Sequence, residues 1–119
     1  MPRRPAIHDA VPSVVTSHGA DFFGEDRYEL RDLTSLADHA DTCLPVLERG
    51  ALVRFLSHAG DGDQAVPADQ AGEFAGLLRQ VATHRFTRPA PGAHAALLAE
   101  AAARAAAANE TWTWTLTTA

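Results

Sequence analysis

The sequence predicts an α+β domain of about four helices packed on a small antiparallel sheet formed from the N- and C-terminal strands. Three observations carry this. Residues 111–117, "TWTWTLT", alternate strictly: Trp112, Trp114 and Leu116 fall on one side and threonines on the other, the period of a strand with one buried face. Residues 28–108 instead space their apolar side chains at three- and four-residue steps, the period of helices. A lone strand cannot satisfy its backbone N–H and C=O groups, and the β-branched "SVVTS" of residues 13–17 is the best partner for the C-terminal one.

In chain order, residues 1–12 carry three prolines and read as an extended or disordered lead-in, leaving 13–119 as one globular domain. Leu30, Leu33, Leu36, Ala37, Ala40, Cys43 and Leu44 mark the first helix, with Asp32 or Thr34 as its cap and Pro45 as its stop. Within residues 44–62 the stretch 51–57 alternates poorly as a strand, so a second helix is read through Leu47 to Ser57, its stripe running through Leu44, Leu47, Ala51, Phe55 and Ala59 and widened by Leu52 and Leu56. Pro45 suits its first turn and Gly60 the position after its last, with Gly50 costing about 1 kcal/mol inside it. "DGDQAVPADQ" is a turn with a short extended piece at Val66. A third helix follows from about Pro67 to His84, buried through Ala71, Phe74, Leu78 and Val81. After "RFTRPAPG", an alanine-rich helix shows a face of Leu97, Leu98, Ala101 and Ala105 and stops at Asn109. Alanine buries little area, so the core leans on a few large side chains, with Leu30, Leu47, Leu97 and the two tryptophans counted among them.

Composition excludes several classes. The formal net charge is −5, there is no lysine, and the ten arginines are dispersed, so the clustered cations that phosphate binding needs are missing and no nucleic-acid partner is expected. The two arginines near the start are followed by no apolar run of a targeting segment, and no stretch approaches a membrane span, so the expectation is a cytoplasmic protein without membrane association. The single Cys43 rules out an internal disulfide and paired-cysteine metal sites.

The stretch "LVRFLSHAGDGDQAVP" (52–67), in which a helix ends in His-x-x-Asp and Val-Pro opens the next, resembles a pattern in small uncharacterised proteins of actinobacteria, and "SHGADFFG" (17–24) is similar to openings of such proteins. This chain departs from the pattern at Gly62, where a cysteine often stands. The resemblance implies the fold and no function.

The chemistry-bearing candidates centre on a repeat. "SHGAD" at 17–21 is echoed by "SHAGD" at 57–61, so His18 with Asp21 and His58 with Asp61 each set an imidazole beside a carboxylate around one turn. That pairing suits acid–base catalysis, or two copies around one divalent ion, although Ser, His, Gly and Asp are also what ordinary chain ends use. The turns are expected to stay apart with no metal and no cofactor between them. "DGDQAVPADQAGE" fails as a calcium loop, because Val66 stands where the glycine is required and Gly72 where the glutamate is. Cys43 and His39, four apart on one helix, have the spacing of a nucleophile and base, but the cysteine lies on the apolar stripe. Phe22 and Phe23 with Arg27 read as a turn anchored under the first helix, or as an exposed aromatic tip with a charged rim. The reading carried forward is a small protein-binding or regulatory module of adaptor, antitoxin or immunity type. The alternative is a small cofactor-free or metal-dependent enzyme of a biosynthetic pathway using His18, Asp21, His58 and Asp61. Oligomeric state is not legible.

Overall fold

A computed structural model describes residues 11–19 and 24–118. The lead-in through residue 10, and Asp21, Phe22 and Phe23 of the first turn, lie outside the described residues. The elements run β1 (Ser13–Ser17), β2 (Glu25–Glu29), α1 (Leu30–Cys43), α2 (Val46–Ser57), a single 3-10 turn (Ala59–Asp61), β3 (Gln64–Val66), α3 (Ala68–Thr83), α4 (Pro89–Ala107) and β4 (Trp112–Thr117). The strands form one sheet of order β2-β1-β4-β3, with antiparallel neighbours.

β4 lies inside the sheet and has two partners. Val14 faces Leu116 and Thr16 faces Trp114 on one side; Gln64 faces Trp114 and Val66 faces Trp112 on the other. This register puts Val14, Tyr28, Val66, Trp112 and Trp114 on one face, all buried against the helices, and turns Thr113 and Thr115 out to solvent. The expected pairing of β1 with β4 is present, but the sheet is larger than the terminal strands alone. "EDRYE", read from sequence as part of a turn, is the strand β2. Its charged side chains hide the alternation: Tyr28 alone brings a buried apolar group to the core, and charges are what blunt a sheet edge.

Close contact holds the β1–β2 turn together. The Gly19 N–H donates to the Gly24 carbonyl at 2.6 Å, and a Cβ on Gly19 would lie 2.5 Å from the Glu25 backbone carbon. No side chain fits there.

α1 buries Leu33, Leu36, Ala37 and Ala40, as its spacing predicts; neither Asp32 nor Thr34 caps it, since Glu29 holds that position and the Thr34 hydroxyl donates back to the Leu30 carbonyl. α2 needs correction on its buried face. Leu52 and Leu56 are buried, while Leu47 is 97% exposed and Ala51 is exposed. Apolar residues surround this helix, so periodicity had no single stripe to select. His58 ends α2, and Gly60 belongs to the 3-10 turn that follows.

α3 and α4 make the most extensive helix pair. Alanine permits it: Ala71 and Ala75 of α3 and Ala95, Ala99, Ala101, Ala102 and Ala105 of α4 are buried, and a Cβ on Gly72 would meet that of Ala106 at 3.5 Å. Leu97 lies outside this face, 38% exposed. α4 ends as predicted at Asn109, whose φ is 56°. Its N–H reaches the Ala106 carbonyl and that of Glu110 reaches the Ala105 carbonyl, satisfying acceptors the helix leaves open.

Candidate functional site

The two His-x-x-Asp turns attach to opposite ends of β4. His18 adopts a φ of 63° just after β1, and its Nε2 pairs with Glu110 Oε1 at 3.1 Å, before β4 begins. Its carbonyl accepts from Arg104 at 3.0 Å. The second turn is tied to the far end, where Asp63 Oδ1 accepts the Leu116 N–H at 2.8 Å. The strand from Trp112 to Leu116 alone holds those ends about 14 Å apart. Two nitrogens on one zinc ion lie within about 4 Å of each other. The structure thus does not bring His18 and His58 to a common centre. Among the described residues no group of three or more His, Cys, Asp or Glu side chains is placed to hold a metal ion.

Within the second turn the imidazole and carboxylate do meet. His58 Nδ1 donates to Asp61 Oδ2 at 2.6 Å, which fixes the tautomer and leaves Nε2 without a partner among the described residues. Both side chains are mostly exposed. Gly62, at a φ of 144°, reverses the chain toward β3, a conformation L side chains rarely adopt.

His58 also lines a groove of about 430 Å³ that the sequence reading does not anticipate. α2 supplies Ala51, Arg54 and Phe55 beside His58; β3 supplies all of Gln64–Val66; α3 supplies Gln70 and Phe74. The floor is aromatic. Phe55 and Phe74 lie 5.2 Å apart between centroids, and Phe55 meets the Trp114 ring at 4.4 Å. Gln64 Nε2 donates to the Phe55 carbonyl at 3.4 Å and links strand to helix at the groove wall. β3 is an edge strand, hydrogen-bonded only to β4 among the described residues, so its other side offers unpaired backbone to the groove. The signal available beforehand was the extended piece at Val66. What was missing was its place at the sheet edge.

The remaining candidates go elsewhere. Arg27 is exposed on β2, at the opposite edge of the sheet. His39 Nδ1 donates to the Ser35 carbonyl at 2.9 Å, and Cys43 Sγ lies 3.5 Å from Thr87 Oγ1, so base and thiol each have another partner. A concavity of about 530 Å³ gathers Asp32, His39, Arg88 and His94 at the start of α4. That helix end holds little for an anion: Pro89 and Pro91 have no N–H, and the Gly92 N–H is taken by the Arg88 carbonyl.

No curated protein and no solved structure matches the chain. Residues 19–115, from the close of β1 into β4, match the family described as Domain of unknown function (DUF7739), and the chain belongs to that family.

Proposed function

We propose that the chain is a small protein-binding module whose contact surface is the groove between α2, β3 and α3. The observation that supports this reading is an unpaired strand edge beside an aromatic floor. An extended segment of a partner adds a strand to β3 while one of its apolar side chains enters the groove, the usual division between backbone affinity and side-chain specificity in strand addition. The adaptor, antitoxin or immunity role, the cytoplasmic location and the actinobacterial setting belong to the same reading. The lone, half-buried Cys43 and the absence, among the described residues, of a helix long and apolar enough to cross a membrane are consistent with it.

The test is a photo-crosslinking amino acid at Ala65 in β3, with a control at Thr115 on the exposed sheet face, expressed in the native host. Adducts to a defined protein from position 65, lost when Ala51→Trp fills the groove, are expected. Adducts from position 115 alone would overturn the reading.

The 2.6 Å pair of His58 and Asp61 favours one second reading, a small cofactor-free or metal-dependent enzyme. In it Asp61 orients the imidazole and Nε2 exchanges a proton with a substrate in the groove. His58→Gln separates the two: under the first reading capture at position 65 weakens but persists, because β3 and the aromatic floor remain, whereas under the second turnover is abolished.

A further inference from the structure

Resting on the groove as contact surface, we infer the chemistry of what enters it: an extended segment of a partner protein with an Asp or Glu side chain beside a large apolar one. The chain has 15 acidic residues against ten arginines, yet among the described residues no carboxylate lines this groove; Arg54 is its cationic lining group, with the His58 imidazole beside it. The neighbouring groove between α2 and α3, about 400 Å³, is lined by Glu48 and Glu73, whereas on the β3 side the nearby Asp61 is engaged by His58 and does not line the groove.

Arg54 is exposed and makes no ion pair among the described residues, whereas Arg31, Arg49 and Arg104 each hold a carboxylate at 2.9 to 3.2 Å. Its guanidinium lies along α2, with NH1 3.6 Å from where a Cβ on Gly50 would stand. A guanidinium is a planar fork whose geometry matches a carboxylate. Asp61 engages His58 through Nδ1, and among the described residues Nε2 has no partner, which leaves it as a second contact. Backbone pairing alone is not enough: β3 has three residues, and each net hydrogen bond is worth about tenfold in affinity at most. The apolar anchor over Phe55 and Phe74 and the carboxylate at Arg54 supply the rest.

A random dodecapeptide library displayed on phage is selected on the immobilised full chain and counter-selected on the Ala51→Trp variant. Enriched peptides are expected to place Asp or Glu within two positions of a large apolar residue. A capped synthetic copy should lose about tenfold in affinity when its acid becomes Gln, and similarly against Arg54→Gln, with amide shifts at residues 64–66. Groove-binding peptides with no acidic preference, or with affinity unchanged by both substitutions, would overturn this inference and leave the groove as contact surface. No enrichment over the Ala51→Trp counter-selection would overturn both.

Discussion

Thr16 sits mid-strand on the core side of β1, fully buried, and its hydroxyl has no hydrogen-bond partner among the described residues. A buried donor without a partner keeps its desolvation cost. Thr16→Val retains the β-branched shape and removes that cost, so it should stabilise by about 1 kcal/mol in denaturant titration at unchanged m-value. A loss of stability would show that the hydroxyl is engaged. Tyr28, also on the core side, gives a pH dependence. Burial first, and then the nearby Asp26 carboxylate that its hydroxyl meets at 3.5 Å, push the phenol well above its ordinary value. A group raised on folding contributes stability in full below its unfolded pKa, about 10, and loses it as pH climbs toward the folded value. Stability should therefore fall above about pH 10, and Tyr28→Phe should flatten that fall; parallel alkaline melts check it. At this scale Trp112 and Trp114 were legible, because a strict period of two has one reading. Leu47 and Leu97 were not, since on α2 and α4 neighbouring apolar residues compete for the buried side and packing against the sheet decides.

Among the elements, α2 carries the clearest test. Gly50 lies inside it, and an added Cβ would meet nothing closer than Arg54 NH1 at 3.6 Å, an ordinary contact. Gly50→Ala should stabilise by up to about 1 kcal/mol, read as a rise in melting temperature, and a clear loss would contradict a helical Gly50. All four helices were legible from apolar spacing and their breakers. β2 was not: its sequence is mostly charge, and pairing to β1, not hydrophobicity, makes it a strand. The candidate site was half legible. His58 and Asp61 are three apart and announce themselves, whereas the groove joins residues 51 to 74 only because β3 carries the chain along the sheet edge between two helices.

At the scale of the whole molecule, β4 joins the two halves of the sheet. It bonds to β1 and β3 at once and places both tryptophans in the core, at 0% and 2% exposure. Losing one buried Trp side chain typically costs about 3–5 kcal/mol, and a domain's whole stability is about 5–15 kcal/mol. Deleting residues 111–119 should abolish cooperative unfolding, seen as loss of the near-ultraviolet dichroism and of a sigmoidal melt. A truncated chain melting near the parent temperature would show that the helices hold a core without the sheet.

The position of β4 also governs the timing of folding. Ser17 and Trp112, joined by an indole hydrogen bond, are 95 residues apart in the chain. The β1–β2 and α3–α4 contacts are local in the chain and do not involve β4. β3 gains its partner, and the aromatic floor its tryptophans, only when residues 112–117 clear the ribosome. Closure of the central strand, which joins residues far apart in the chain, is therefore expected to be the slow, high-contact-order step of folding.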